Sequence, residues 1–292
     1  MKIMGLVWAG VLLAGSPVVA QQQTMLLWPD GAPEPSHVTG PESDSGGNLV
    51  AGKPLQRLTN VSKPNMAVYL PPAGKNTGAA AVVFPGGGYQ LLAMDLEGTE
   101  VCQWLNSIGM TCVVVKYRVP ETGHYPENTE DLEDAQQAMR LTRSHAKEWG
   151  IDPKRIGVIG FSAGAHLAVV LSTHPDFQGK NVQASTVDAR PNFQMVIYPG
   201  YTSLPDGTVP PSIGPTAEVP PTFLVQAEND YAAKVESSVV YFMALKNAKV
   251  PAEMHIFESG AHGGGLWFSD PALSLWPQLL TNWLRGRGLL TK

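Results

Sequence analysis

Ser162 stands in the run Gly160-Phe161-Ser162-Ala163-Gly164, a G-x-S-x-G pattern. A serine hydroxyl is a weak nucleophile until a base takes its proton, so the pattern needs a base and oxyanion donors around it. Its context is the required one. The apolar run Ile156 to Gly160 predicts a strand, and the small-residue run Ala163 to Ser172 predicts a helix. Glycines at 160 and 164 let the intervening turn be tight, project Ser162 Oγ above a sheet and turn the N–H of Ala163 the same way. Upstream, Pro85-Gly86-Gly87-Gly88-Tyr89 follows the apolar strand Ala79 to Phe84. Consecutive glycines allow peptide N–H groups to face a developing oxyanion with no Cβ in the way. Gly87, Gly88 and Ala163 are the expected donors, and Tyr89 is a candidate substrate contact.

Of seven histidines, only His262 sits in a glycine-rich loop after a late strand, in Ser259-Gly260-Ala261-His262-Gly263-Gly264-Gly265. There it can reach over the strand ends to the serine. His166 lies inside the helix after the turn and reads as a packing or capping residue. The orienting acid should follow the strand Thr222 to Ala227, where Glu228 and Asp230 are available. Asp230 is favoured because it leaves room for one helix and one strand before His262 and gives the chain order Ser, Asp, His of the α/β-hydrolases. Glu228 is the alternative; Asp206, in a proline-rich loop, is less suited.

These groups need strands that end at one edge. Strand-like runs at Met66–Leu70, Ala79–Phe84, Thr111–Val115, Ile156–Gly160, Phe193–Tyr198, Thr222–Ala227 and Met254–Phe257 alternate with helix-like runs. Within Thr129 to Trp149, Leu132, Ala135, Met139 and Thr142 make one apolar stripe. The alternation predicts an α/β fold with a mainly parallel sheet and helices on both faces, whose ligands bind beyond the carboxyl ends of the strands. The loop Pro199 to Pro221 has no helical period and reads as a stiff connection, so no large lid domain is expected.

The glycine run, the extended motif Gly160 to Ala168, Asp230 and His262-Gly263 together resemble the α/β-hydrolase serine esterases of the acetyl esterase/lipase group. The nearest branch is the secreted feruloyl and acetylxylan esterase-like (BD-FAE-like) one. Trp28-Pro29-Asp30-Gly31-Ala32-Pro33, Lys116-Tyr117-Arg118 and Trp149-Gly150-Ile151-Asp152-Pro153 support it. The resemblance implies a Ser162-His262-Asp230 acyl-enzyme mechanism, no cofactor or metal, and acetyl or feruloyl groups on xylan as substrate. Pro85 in place of a histidine, and Gln226-Ala227 in place of His-Gly, depart from relatives without removing a catalytic group. A secreted serine peptidase, a general short-chain carboxylesterase and a non-catalytic binding protein are the competing classes. Trp267 and Trp276, after His262, are further candidates for stacking on a sugar or for core packing.

Composition narrows the partners. Charged residues are 15% of 292, with formal net charge −5 and no basic run longer than a pair, which argues against nucleic acid. Lys2, the apolar stretch Ile3 to Leu13 and Val18-Val19-Ala20 predict a signal peptide cleaved after Ala20, hence a secreted or periplasmic protein without a stable membrane span. Residues 21–57 are expected as an extended Pro/Gly-rich arm and 58–292 as the domain. Cys102 and Cys112 do not make a disulfide framework, and buried free thiols are the simpler expectation.

Overall fold

The computed structural model describes residues 22–34, 36–47, 49–50, 52–267 and 270–291; the expected signal peptide lies outside them. The strands are β1 (Gln22–Leu26), β2 (Ser43–Asp44), β3 (Arg57–Thr59), β4 (Asn65–Tyr69), β5 (Ala80–Phe84), β6 (Leu92–Ala93), β7 (Thr111–Lys116), β8 (Ile156–Phe161), β9 (Gln194–Ile197), β10 (Thr222–Ala227) and β11 (Ala252–Phe257). The α-helices are α1 (Glu100–Ser107), α2 (Glu130–Ser144), α3 (Ala163–Thr173), α4 (Glu236–Asn247) and α5 (Trp276–Gly286).

The main sheet runs β1-β4-β7-β5-β8-β9-β10-β11. The six strands from β7 to β11 are parallel, while β4 and β1 add an antiparallel edge. Strands β5 and β8 are buried along their whole length, as expected for strands covered on both faces. On α2, Leu132, Ala135, Met139 and Thr142 are all fully buried, so the helical stripe faces the core. This is the α/β-hydrolase architecture. After β5 the chain moves to one side to form β7, then returns to the other side of β5 for β8. The loops following β5 and β8 therefore open at the switch point where such sheets bind ligands.

Two expectations change. The segment 21–57 is more than an arm: β1 pairs with β4 in the main sheet, and β2 and β3 join β6 in a separate three-stranded sheet. Arg118, at 1% exposure, pins the segment by donating from Nη1 to the Glu34 carbonyl (2.8 Å), and Trp28 Nε1 donates to Asp134 Oδ1 (2.7 Å). Cys102 and Cys112 form a disulfide rather than free thiols. Packing of α1 on β7 brings their Cα atoms to 5.1 Å, within the span a disulfide bridges.

Candidate active site

The turn after β8 is built by exclusion. A Cβ on Gly160 would lie 2.0 Å from the Gly164 carbonyl oxygen, and one on Gly164 would lie 2.1 Å from that of Phe84. Neither position admits a side chain. Between them Ser162 adopts φ 53°, ψ −118°, a conformation that costs a non-glycine residue on the order of 1–3 kcal/mol. Its N–H donates to the Ile197 carbonyl (3.0 Å), which ties the strained residue to the next strand.

Ser162 Oγ is 2.8 Å from His262 Nε2, and His262 Nδ1 is 2.7 Å from Asp230 Oδ2. The three come from the loops after β8, β11 and β10. Asp230 receives two backbone N–H groups on Oδ1, from Ala232 (2.9 Å) and Ala233 (2.8 Å), and Gln226 Nε2 on Oδ2 (2.9 Å). Gln226 is itself fixed, accepting from Ser238 Oγ (2.8 Å) and donating to the Ala233 carbonyl. The Gln that departs from the relatives' pattern thus orients the acid. Asn229 Oδ1 accepts from Ala261 N–H (3.0 Å), tying the acid loop to the histidine loop. Glu228 is exposed and has no hydrogen bond to His262, and Asp206 bonds Thr208. An acceptor at Nδ1 leaves Nε2 able to take the proton of Ser162 Oγ, so the arrangement can deprotonate a serine as it attacks.

The glycine loop is held from below. Tyr117 Oη donates to the Pro85 carbonyl (2.6 Å), and Gly86 N–H donates to Glu97 Oε2 (2.7 Å). A Cβ on Gly86 would come within 2.8 Å of Ser162 Cβ. No described hydrogen bond uses the N–H of Gly87, Gly88 or Ala163. Gly87 and Gly88 have φ of 141° and 62°, and a Cβ on Gly87 would collide with the Leu91 carbonyl oxygen at 1.9 Å, so glycine is required there. Glu97 is buried, and its pKa is raised by desolvation, against which the Tyr198 hydroxyl, Gly86 N–H and His262 act. Glu97 falls in a π-helical turn, Asp95–Thr99, leading into α1. The signal available beforehand was an acid nine residues after the last glycine of the run, too weak to single it out.

Other residues fall differently from expectation. Tyr89 is 2% exposed with Oη 2.7 Å from His166 Nδ1, so it packs beneath the site and offers no surface to substrate. His166 is a packing residue; burial, then nearby His124, lowers its pKa to about 3 and keeps it neutral. Trp267 donates from Nε1 to Glu100, carries Lys53 Nζ 4.4 Å from its ring centroid and packs by Leu55, Ala93 and Leu96, outside the cleft lining. Trp276 is fully buried, donating to the Gly265 carbonyl (3.0 Å). The aromatic groups that do line the cleft are Tyr201 and Tyr231, 42% and 81% exposed, which sequence reasoning missed because neither sits in a motif. Tyr201 holds φ 59° and packs against His124, 4.5 Å between centroids with the rings tilted by 39°. The cleft has a volume of about 960 Å³; Leu49, Val50, Leu55 and Arg57 of the N-terminal segment form one wall and residues after β9 and Asp230 another. Among the described residues no cluster of His, Cys, Asp or Glu is arranged to hold a metal, and no helix is long and apolar enough to cross a membrane.

Comparison with known proteins bears on this geometry. The BD-FAE family matches residues 66–199, which include the glycine loop and Ser162. An acetylxylan esterase of Xylanibacter ruminicola is 31% identical over 254 residues, 78% of this chain and 49% of that protein. Endo-1,4-beta-xylanase B of Butyrivibrio fibrisolvens is 30% identical over 62% of this chain and 32% of its own length. The chain thus spans about half of the first relative and a third of the second. The crystal structure of an acetyl ester-xyloside bifunctional hydrolase from Caldicellulosiruptor lactoaceticus superposes with a TM-score of 0.72 at 32% identity, covering 94% of this chain and 99% of that one. With that coverage, and with the matched segment carrying the glycine loop and the serine turn, the chain belongs to the BD-FAE family of α/β-hydrolases.

Proposed function

We propose that the protein is an exported serine carboxylesterase that removes acetyl or feruloyl groups from decorated xylan. The observation that carries this reading is the continuous hydrogen-bonded chain Asp230–His262–Ser162, ending in a cleft beside three peptide N–H groups without a partner among the described residues. His262 takes the Ser162 proton as Oγ attacks the ester carbonyl, and the N–H groups of Gly87, Gly88 and Ala163 receive the oxyanion. Collapse of the tetrahedral intermediate breaks the acyl–oxygen bond, and His262 gives its proton to the departing sugar hydroxyl. Water, deprotonated by the same imidazole, then attacks the acyl-enzyme and releases the carboxylic acid and free Ser162. Asp230 holds the imidazole in the required tautomer and stabilises the imidazolium formed in both steps.

The substrate class is supported by relatives whose names are acetylxylan esterase, xylanase and acetyl ester-xyloside hydrolase. An open cleft rimmed by two exposed tyrosines suits an ester carried on a chain of sugars, whose C–H faces pack against aromatic rings. Export is supported by the apolar N-terminal run up to Ala20 and by a disulfide, a bond that persists in oxidising compartments.

Incubation of the purified protein with acetylated and with feruloylated xylan, with quantification of released acetate and ferulate, tests the reading. Release of either acid, lost by roughly 10⁴-fold or more in Ser162→Ala, is the expected result. Cleavage of peptide amides in preference to esters, or undiminished hydrolysis by Ser162→Ala, overturns it.

A further inference from the structure

We propose that Glu97 is a positioning residue whose single buried carboxylate fixes the oxyanion loop and the histidine loop relative to each other; the assignment rests on the esterase reading above. Glu97 is 3% exposed, and each of its oxygens serves a different loop. Oε2 accepts from Gly86 N–H at 2.7 Å, next to the expected donors Gly87 and Gly88. Oε1 accepts from Tyr198 Oη–H at 2.8 Å, and the Tyr198 oxygen accepts in turn from Gly265 N–H at 2.9 Å, three residues beyond His262. The Gly265 carbonyl then receives Trp276 Nε1–H at 3.0 Å. One bridge thus runs from the oxyanion loop to the loop that carries the base, through Glu97 and through Tyr198 after β9, and Trp276 of α5 anchors its far end.

Steric facts make the bridge tight. A Cβ on Gly86 would lie 2.7 Å from Glu97 Oε2 and 2.8 Å from Ser162 Cβ, so this peptide is clamped between the acid and the nucleophile. A Cβ on Gly265 would lie 2.5 Å from the Leu96 carbonyl oxygen, which puts the histidine loop against the same π-helical turn. The Tyr198 ring also meets the His262 ring, 5.1 Å between centroids.

A carboxylate suits this position for a reason of valence. Two donors arrive from two loops, and only a group with acceptor oxygens on both sides can receive them together. An amide has one acceptor oxygen and would turn an NH₂ toward one of the two donors. His262 faces Glu97 from the histidine loop, Tyr198 from the turn after β9, and Tyr117 from the segment after β7, while Asp95 lies within its own turn.

Three variants decide the assignment: Glu97→Gln, Tyr198→Phe and the double variant, assayed with a short-chain aryl ester and checked for folding by thermal melting. Glu97→Gln should lower kcat by about tenfold to a hundredfold, less than or equal to loss of a whole oxyanion donor, with KM changed by no more than about twofold. Affinity for a trifluoromethyl ketone, which forms the tetrahedral adduct, should fall by the same factor as kcat/KM. Because both residues lie on one bridge, the double variant should be no worse than the more damaged single variant by more than about threefold. A merely structural acid would lower the melting temperature and leave kcat per folded molecule intact. Wild-type kcat in a folded Glu97→Gln protein, multiplicative effects in the double variant, or unchanged ketone affinity each overturn the assignment. If Glu97→Gln does not fold, Tyr198→Phe alone decides it: a severalfold fall in kcat at constant KM supports the bridge, and an unchanged kcat removes it. A wild-type protein inactive on every ester defeats the functional reading instead.

Discussion

Asp230 and Asp134 are both buried acids receiving four donors, yet one network opens onto a cleft while the other closes on itself. Asp134 accepts Trp28 Nε1 (2.7 Å), the Arg118 backbone N–H (2.9 Å) and a bidentate pair from Arg118 Nε and Nη2 (3.0 and 2.9 Å). Arg118 spends its remaining donors on the carbonyls of Glu34 and Glu130 and on Glu133. Nothing in that set can pass a proton on, because a guanidinium stays charged at any pH the protein meets. Asp230 has the same number of donors, but one is an imidazole whose second nitrogen reaches Ser162. The contrast shows that burial and hydrogen-bond saturation do not by themselves mark a catalytic acid. What separates the two is whether one donor is bifunctional and reaches the lining of a cleft.

The sharpest way to break this comparison is to neutralise each acid without changing its shape. Asp230→Asn should cost about 10⁴-fold in kcat through the wrong imidazole tautomer, with a small change in melting temperature. Asp134→Asn should do the reverse, lowering the melting temperature while activity per folded molecule is kept. Parallel steady-state kinetics and thermal melts on the two variants check this, and equal kinetic losses would dissolve the distinction.

Removing the cation is the next largest effect. Arg118→Met leaves Asp134, Glu133 and Glu130 buried without their partner and should destabilise the fold by about 3–5 kcal/mol in urea denaturation. Its kinetic constants at a temperature where it remains folded should match the wild type.

The remaining effect concerns pH. Around Arg118 the chain buries more acids than it neutralises: burial, then neighbouring Asp131, pushes Glu121 up to about 9, and burial raises Asp131 to about 7. In the unfolded chain both ionise in the ordinary carboxylate range, so between those limits the folded protein holds protons that the unfolded chain has released. Their contribution to stability is therefore complete below the ordinary range and is lost as pH rises, through about 7 for Asp131 and about 9 for Glu121. Melting temperature should decline from about pH 5 to pH 9. Glu121→Gln should flatten the upper half of that decline; an unchanged slope would show that Glu121 ionises freely in the fold.

Legibility followed sequence distance. The serine turn and the glycine loop were readable because their physics is local: a Cβ at 160, 164 or 87 collides with an atom a few residues away or on the adjoining strand. Asp230 and His262 were readable as residues just past strands at one sheet edge. Glu97 and Tyr198 were not, since they meet across 101 residues. The disulfide was missed although its cysteines are only 10 residues apart, because that span crosses from a helix to a strand and the pairing depends on how the helix packs. Tyr89 and Trp267 look like surface aromatics in a motif-adjacent position, yet both point away from the cleft, and the exposed rings come instead from Tyr201 and Tyr231.

The sequence alone determined the alternation of strands and helices and which turns must be glycine-rich, because hydrophobic period and backbone sterics act within a few residues. The tertiary structure decided which acid meets His262, which carboxylate ties the two catalytic loops together, and that the N-terminal segment builds one wall of the cleft. Those contacts follow from the strand order β7-β5-β8-β9-β10-β11 and from the separate sheet β2-β3-β6, which set distant segments side by side, and no local property of the chain encodes either arrangement.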